Sequence, residues 1–492
     1  MQWTQLIALI IASSWAACIS APEQNTASTK QPNVIILFID DLGMGDVGFL
    51  GNKNIPTPHI DSLAAQGVEL KMSYVTNPPC SPSRSCLVTG MFAQKFGKFG
   101  MARGLPIPED HPTIAEFMRD AGYVTGQIGK WDLGSLDQGP HQRGFMEVAK
   151  WAPGKAYNKG GRRLKGFNND AITDEALAWL EQKRDKTKPF CLLLHPKPPH
   201  EPYLPAPPKY KDYLSDVTIP EPATLYDDYK GRTPEAIQKT MRSNLILRKP
   251  SFKKYREEIR KQNPDITDKE MLAKLYQIYI KGYYRLVKSV DDNVGRVLDY
   301  LDESGLTNNT IVIYTADQGF SLGEHGFYNK QWMYEKPLHQ PLLIRFPEVI
   351  EAGLINDSMT NHVDLAPTLL DYAGLPIPED IQGYSLRSIL EGNAEQVRDT
   401  CYYHFYSHGD DNLPEMIGIR TNTHKLIHYP GMKGKYQWEL FDLVNDPEEM
   451  QNHYTNPAYQ DMKAELTEGL LKLIRDLEDP VDAPNLVKTV LP

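Results

Sequence analysis

The stretch Asn33-Val-Ile-Ile-Leu-Phe-Ile-Asp-Asp41 is a continuous apolar run that ends in two carboxylates. Such a run is typical of a strand buried on both faces of a mostly parallel sheet. In open α/β sheets, functional groups collect where these strands end. Asp40 and Asp41 repel each other unless a cation lies between them, although two Asp residues before a glycine also form an ordinary turn. The stretch therefore predicts an α/β fold and leaves the carboxylate pair open between a turn and a cation site.

A second apolar run with the same ending lies far downstream, at Asn309-Thr-Ile-Val-Ile-Tyr-Thr-Ala-Asp-Gln-Gly319. If the two strands are neighbours in the sheet, three carboxylates and one amide oxygen meet at a single edge. Hard oxygen ligands of this kind suit Ca²⁺ or Mg²⁺ rather than Zn²⁺. The paired runs favour a metal site formed by Asp40, Asp41, Asp317 and Gln318.

The rest of the chain divides into two parts by its hydrophobic pattern. Helical and strand-like segments alternate up to about Glu391, which predicts a large α/β domain over residues 32–391 with a mostly parallel central sheet. After Gly383 the pattern changes to short strand-like runs separated by turns, followed by a helical segment over residues 460–477. Residues 392–492 are therefore predicted to form a smaller C-terminal α+β domain with an antiparallel sheet.

Composition limits the classes of function. The chain has 492 residues, 41% of them hydrophobic, which is enough for a substantial core. Its formal net charge of −10 argues against a general nucleic-acid binder. A local cluster of Lys and Arg can still bind an anionic substrate.

The N-terminus has the features of an export signal. An apolar segment over residues 6–11 is too short to span a membrane and is followed by Ala16-Ala17-Cys18, which looks like a lipobox. Residues 1–18 are predicted to be a signal peptide, with lipidation of Cys18 and a polar tether over residues 19–31. The expected location is the periplasm or the cell surface, with membrane attachment through the lipid. Secretion without a lipid and a short buried helix are the alternatives.

Between the two strand ends lies Cys80-Ser-Pro-Ser-Arg-Ser-Cys-Leu-Val-Thr-Gly90, which follows a turn. Proline fits a first helical turn, Ser81 or Ser83 could cap the helix, and Gly90 could end it. A thiol at the start of a helix faces unpaired N–H groups, which favour a bound anion and stabilise a thiolate. A lone cysteine is otherwise more often a small buried hydrophobe.

The combination of Cys-x-Pro-Ser-Arg with Leu-x-Thr-Gly resembles the type I sulfatases, in which this cysteine is oxidised to formylglycine (3-oxoalanine). The resemblance extends from Asp40 to Asp442 and implies an alkaline-phosphatase-like core. It also implies one Ca²⁺ ion, in preference to Mg²⁺, bound by the strand-end oxygens together with the modified Cys80. A formylglycine-generating maturation enzyme is the implied protein partner.

The remaining site residues also come from this resemblance. Arg84 would steady the aldehyde hydrate, His200 in Pro196-Lys-Pro-Pro-His-Glu-Pro-Tyr203 would protonate the leaving alcohol, and His325 would line the pocket. The segment Gly129-Lys-Trp-Asp-Leu-Gly134 and the later Lys330 would supply two sulfate-binding lysines, Lys130 and Lys330. Asp132 stands where the family usually has His. It could accept a hydrogen bond from the hydrate, but it repels sulfate.

The function implied is hydrolysis of sulfate esters on a carbohydrate, such as algal ulvan or a glycosaminoglycan. A basic glycine-rich segment over residues 154–166 is either a surface loop or a contact for such a polyanion. Two alternatives remain open. One is a phosphomonoester or phosphonate hydrolase on the same fold, and the other is a catalytically weak carbohydrate-binding relative.

Overall fold

The computed structural model describes residues 31–96, 106–134, 139–151, 162–164, 167–204, 207–242, 245–407 and 413–481. The predicted signal peptide, Cys18 and nearly all of the tether lie outside these residues. No helix within the described ranges is both long and apolar enough to cross a bilayer.

The larger of two sheets has nine strands in the order β5-β4-β3-β6-β1-β7-β8-β2-β9. Every neighbouring pair is parallel except the two pairs that include β8, which runs antiparallel to β7 and β2. The strands are β1 Asn33–Ile39, β2 Val68–Tyr74, β3 Val124–Gly129, β4 Glu147–Trp151, β5 Arg162–Leu164, β6 Phe190–His195, β7 Thr310–Ala316, β8 Leu342–Arg345 and β9 Leu354–Asn361. The mostly parallel central sheet predicted from the apolar runs is confirmed.

Strand β1 lies in the middle of this sheet, and all seven of its residues are buried. Side chains on a strand alternate between its faces. Ile35, Leu37 and Ile39 accordingly belong to one hydrophobic cluster, and the apolar residues between them belong to another on the opposite face. Burial on both faces explains why this stretch is apolar at successive positions rather than at every second one.

Helices cover both faces of the sheet. The 36-residue helix α7 packs on the face of Ile35, together with α1 and α4, whereas α2, α3 and α9 pack on the other face. The helices are α1 Pro58–Ala65, α2 Cys80–Thr89, α3 Ile114–Asp120, α4 Asn168–Ala178, α5 Thr233–Ile237, α6 Lys253–Gln262, α7 Asp268–Glu303, α8 Glu335–Leu338, α9 Leu365–Tyr372, α10 Arg387–Leu390 and α11 Gln460–Asp476.

The C-terminal part forms a separate four-stranded antiparallel sheet, and α11 packs against its β11 and β12. Its strands are β10 Thr400–Phe405, β11 Met416–Thr421, β12 His424–His428 and β13 Trp438–Asp442. The predicted α+β character of this part is confirmed, and the boundary near Glu391 stays a prediction. The basic segment over residues 154–166 differs from the predicted loop, because residues 162–164 pair with β4 as edge strand β5. The other residues of that segment lie outside the described ranges.

Candidate active site

The carboxylates at the two strand ends meet because β1 and β7 are neighbours. Their parallel register pairs Ile39 with Ala316. The next residues, Asp40 and Asp317, therefore lie at the same edge of the sheet, and the backbone N–H of Asp41 donates to Oδ1 of Asp317 at 3.0 Å. All three carboxylates are buried. Strands β1 and β7 are therefore neighbours, which is the condition on which the predicted metal site depends.

Helix α2 begins at Cys80 and presents this residue to the same edge of the sheet. Gly90 ends the helix with φ of 73°, in the left-handed region that glycine adopts readily, as predicted. The expected serine cap is wrong, because no side chain caps the helix. Ser83 instead donates through Oγ to the carbonyl of Asp317 and lies 2.9 Å from Nδ1 of His362. Helix α2 is thereby tied directly to the strand end that carries Asp317.

The thiol of Cys80 is surrounded by the predicted site residues. Its Sγ lies 2.9 Å from Nζ of Lys330, 3.3 Å from Nε2 of Gln318 and 3.4 Å from Oδ1 of Asp40. Burial, and next the Asp317 carboxylate, raise the pKa of Cys80 to about 12. The expectation that the helix start stabilises a thiolate is therefore wrong, because burial and nearby negative charge outweigh the helix N-terminus and both lysines.

Arg84 lies one helical turn after Cys80 and binds the acidic strand ends. Its Nη2 lies 3.0 Å from Oδ2 of Asp317 and 3.8 Å from Oδ1 of Asp40. Its Nη1 donates to the carbonyl of Lys130 at 3.3 Å and lies 3.2 Å from Nδ1 of His195. The guanidinium is fully buried. Arg84 thus joins α2 to β1, β3, β6 and β7 and holds Cys80 against the carboxylates.

The two lysines each neutralise one of the adjacent aspartates. Nζ of Lys130 lies 2.8 Å and 3.0 Å from the two carboxylate oxygens of Asp40, and Nζ of Lys330 lies 2.5 Å from Oδ1 of Asp41. Burial by itself would raise the pKa of Asp40, but Lys130 and the other nearby cations hold it well below its usual value. Nζ of Lys330 also contacts Sγ of Cys80, and the charge of Lys130 acts on the same thiol.

The donor set fits a divalent cation. Burial, and next the neighbouring Asp40 carboxylate, raise the pKa of Asp317 to about 7, so these carboxylates disfavour each other's charge. Gln318 directs Nε2 at Asp41, while its buried Oε1 has no partner among the described residues. Turning the amide exchanges the two atoms and aims Oε1 at the carboxylates, an arrangement that requires a cation. Ligand atoms of Asp40, Asp41, Cys80 and His200 also lie within 4.8 Å of one another.

His200 lies beside this cluster, with its backbone N–H donating to the carbonyl of Asp40 at 3.0 Å. Its Nδ1 lies 3.0 Å from the carbonyl of Glu201, a pairing that requires a proton on Nδ1, and its Nε2 lies 3.6 Å from Oδ2 of Asp41. Burial lowers the pKa of His200, although the Asp41 carboxylate opposes this shift. The His200 side chain is 21% exposed, so part of the ring is open to solvent.

The last two predicted residues differ in position. Asp132 is near the cluster, with its carboxylate 3.3 Å from Nζ of Lys130 and 39% of its side chain exposed. His325 instead contacts Asp227 and Tyr334. Its Nδ1 lies 2.7 Å from Oδ2 of Asp227, and its ring stacks on Tyr334. Its described contacts include none with the Cys80 cluster, so its role in the pocket stays a prediction.

Sequence reasoning missed two charged residues at the edge of the site. Nζ of Lys249 lies 3.2 Å from Oε2 of Glu201, the residue after His200, and 4.1 Å from the ring centre of Tyr328. Lys249 lies in a polar stretch that reads as a surface insertion, and nothing in its local pattern separates it from the other lysines there. Glu201 directly follows His200 in the sequence, but it belongs to no motif that would mark it as a site residue.

The family is decided by sequence comparison over most of the chain. Residues 32–375 match the Sulfatase family, and residues 323–476 match the family "N-sulphoglucosamine sulphohydrolase, C-terminal". The chain belongs to the sulfatase family. This sulfatase is therefore a sulfuric ester hydrolase, as its motifs predicted.

Individual relatives agree with this assignment. The N-acetylglucosamine-6-O-sulfatase of Bacteroides thetaiotaomicron is 34% identical, covering 99% of this sulfatase and 93% of its own length. An ulvan-active sulfatase of Formosa agariphila is 26% identical over 96% and 87% of the two chains. A solved structure of a protein with its substrate, D-glucosamine-2-N,6-O-disulfate, has a TM-score of 0.82 at 33% identity and covers 92% of this sulfatase and 99% of that chain.

The pKa of the Cys80 thiol leads to a test on protein made without the maturation enzyme. Since that pKa is about 12, only about 10⁻⁴ of the thiol is ionised at pH 8, and the thiolate is the reactive form. Native protein should react with iodoacetamide at Cys80 roughly 10³-fold more slowly than free cysteine, with a rate that still rises between pH 7 and 9. Peptide mapping by mass spectrometry measures this rate. Reaction at the rate of free cysteine would show that the thiolate is stabilised after all.

Replacing Asp132 tests whether its charge opposes substrate binding. Asp132→His and Asp132→Asn remove one of the two carboxylates that pair with Lys130, which leaves only Asp40 to compete with sulfate for the ammonium. We expect KM for a small aryl sulfate to fall about three- to tenfold in both variants. Asp132→Glu keeps the charge and serves as the control. A higher KM in the Asn variant would mean that the carboxylate assists binding.

Proposed function

We propose that this sulfatase hydrolyses sulfate esters of glucosamine in sulfated glycans of the glycosaminoglycan type, using a formylglycine derived from Cys80 and a bound Ca²⁺ ion. The observation that carries the proposal is the convergence on one buried cysteine of three carboxylates, two lysines, an arginine and a histidine. Sulfate transfer requires a nucleophile, a clamp for the anion and an acid for the leaving group. Together these groups can meet all three requirements.

Formylglycine, when present, supplies as its hydrate one hydroxyl that attacks sulfur and a second that later expels sulfate. The residues around Cys80 support this chemistry. Arg84 is fixed beside Cys80 by Asp317 and carries buried positive charge toward the reacting group. Lys130 and Lys330 approach the site from two different segments and can hold two oxygens of the sulfate. They hold the anionic sulfo group in place while its bond to the leaving alcohol breaks.

The cation would be held by Asp40, Asp41, Asp317 and Gln318, all of which offer oxygen ligands. Bound there, it supplies Lewis acidity toward the nucleophile and neutralises the carboxylates that the lysines otherwise pair with. The preference for oxygen ligands supports Ca²⁺ over Zn²⁺. Mg²⁺ is the alternative, since it accepts the same ligands with stricter geometry.

His200 supplies the proton for the departing alcohol. Because Nδ1 carries a proton toward the carbonyl of Glu201, Nε2 is the atom that takes up and releases the transferred proton. Burial of His200 lowers its pKa, which makes the protonated ring a stronger acid. In this proposal the leaving alcohol lies next to Nε2 of His200.

The substrate class rests on the relative named for N-acetylglucosamine-6-O-sulfate, whose whole length this sulfatase nearly covers. The solved neighbour bound to a glucosamine disulfate supports the same sugar. An algal ulvan is the second substrate class, supported by a more distant relative. We further propose export through residues 1–18, lipid attachment at Cys18 and maturation by a formylglycine-generating enzyme.

A substrate panel tests the proposal. We expect the matured enzyme to release sulfate from N-acetylglucosamine 6-sulfate with a kcat/KM at least tenfold higher than from ulvan oligosaccharides, measured by ion chromatography. Faster turnover of an aryl phosphate than of the matching aryl sulfate would reject sulfate esters as the substrate class. Preferred desulfation of ulvan would keep the reaction but change the sugar.

A further inference from the structure

Lys249 is held at the edge of the site in an unusual environment for a lysine. Only 15% of its side chain is exposed, and its ammonium faces the Glu201 carboxylate and the ring of Tyr328. Tyr328 lies two residues before Lys330, and the charges of Asp41 and Lys330 both act on Lys249. Lys249 therefore belongs to the surroundings of the active site, although its chain segment reads as a surface insertion.

The ion pair with Glu201 does not explain why the charge of Lys249 is buried there. Burial lowers the pKa of Lys249 even though Glu201 opposes the shift, so the ammonium is only partly compensated. A pair with a half-exposed carboxylate contributes little to stability. The ammonium has three N–H donors, and the described residues provide it with one acceptor and one ring face. A partly desolvated cation with a spare donor, on which the charges of Asp41 and Lys330 also act, is characteristic of a binding position.

The position of this pair defines which part of a substrate it meets. Glu201 directly follows His200, the residue proposed to protonate the leaving alcohol, and the charges of Asp41 and Lys330 act on Lys249, so the pair borders the part of the site next to the proposed acid. We propose that Lys249, positioned by Glu201, binds a second anionic group on the sugar that carries the scissile sulfate. This inference rests on the proposed function in taking that alcohol to be a sugar. Under the proposed function that sugar is glucosamine, which has no carboxylate, so the anionic group is a second sulfate.

Two substrates that differ at one position test the proposal. Lys249→Met removes the charge and keeps an unbranched side chain of similar length. We expect kcat/KM for glucosamine 2-N,6-O-disulfate to fall at least tenfold, mainly through KM, and kcat/KM for N-acetylglucosamine 6-sulfate to fall less than threefold. Lys249→Arg keeps the charge and should retain most of the wild-type ratio of kcat/KM between the disulfate and N-acetylglucosamine 6-sulfate. Lys254→Met is the matched control, since Lys254 is exposed and pairs only with Glu258 among the described residues.

Equal losses on the two substrates would overturn the proposal. If Lys249→Met lowers the melting temperature, Lys249→Gln provides a second neutral variant for the same comparison. If the ratio of kcat/KM for the disulfate to kcat/KM for N-acetylglucosamine 6-sulfate stays at its wild-type value in a folded neutral variant, the proposal is also overturned.

Inhibition of aryl sulfate hydrolysis separates this proposal from the proposed function, because it needs no turnover of a sugar sulfate. We expect glucosamine 2-N-sulfate to inhibit the wild type at least tenfold better than Lys249→Met. Lys249-dependent inhibition without desulfation of N-acetylglucosamine 6-sulfate would keep this subsite and reject the proposed function. Inhibition that is equal in the two proteins would reject the subsite.

Discussion

Replacement of Cys80 by serine is expected to lower kcat for an aryl sulfate by on the order of 10⁴-fold or more. A serine hydroxyl can still accept the sulfo group from the ester, held by Lys130 and Lys330. It has no second hydroxyl on the same carbon, so the sulfated side chain cannot collapse and release sulfate. We expect the Cys80→Ser variant to accumulate one covalent sulfo group during incubation with substrate, visible by intact-mass spectrometry.

Peptide mapping should locate this sulfo group at position 80 of the Cys80→Ser variant. Cys86→Ser is the matched control, because Cys86 lies on the same helix and is buried away from the carboxylates, with contacts to Thr76 and Asn77. That control should keep its activity within a few-fold of the wild type. Full activity of Cys80→Ser, or an unmodified thiol at Cys80 in the active wild type, would contradict the formylglycine chemistry.

Removal of the divalent cation is expected to lower kcat by on the order of 10³-fold or more, because the metal supplies several kcal/mol of transition-state stabilisation. It should also lower stability, since Asp40, Asp41 and Asp317 then remain buried together without their cation. Ca²⁺ at roughly 1,000 times its Kd would contribute about 4 kcal/mol to the free energy of unfolding. Thermal unfolding of chelated protein, with and without added Ca²⁺, measures this effect independently of activity.

Two variants locate the ion. Asp317→Asn should weaken the stabilisation by Ca²⁺ at least tenfold in apparent Kd, because it removes one carboxylate charge from the proposed site. Asp292→Asn is the control, since Asp292 belongs to the other acidic group of the described residues, with His59 and Asp291, and is already paired with Lys288. Loss of Ca²⁺ stabilisation in the control but not in Asp317→Asn would place the ion at the other group.

Much of the fold could be predicted from local sequence patterns. The two apolar runs predicted strands buried on both faces of the sheet, because such a strand has no polar face, whereas their being neighbours was shown by the structure. The shorter runs after Gly383 predicted the antiparallel sheet because turns separate them at short intervals. The antiparallel direction of β8 and the pairing of residues 162–164 as an edge strand were not predictable, since strand pairing depends on partners that are distant in sequence.

The sequence by itself determined the chemical groups of the site: a cysteine at a helix start, carboxylates at two strand ends, two lysines and a loop histidine. Only the tertiary structure decided their electrostatic state. Cys80 keeps its proton because it is buried beside carboxylates that follow β1 and β7, and Lys249 joins the site although it is distant from Glu201 along the chain. Burial and Coulomb interactions depend on distance in space, which residue order alone does not specify.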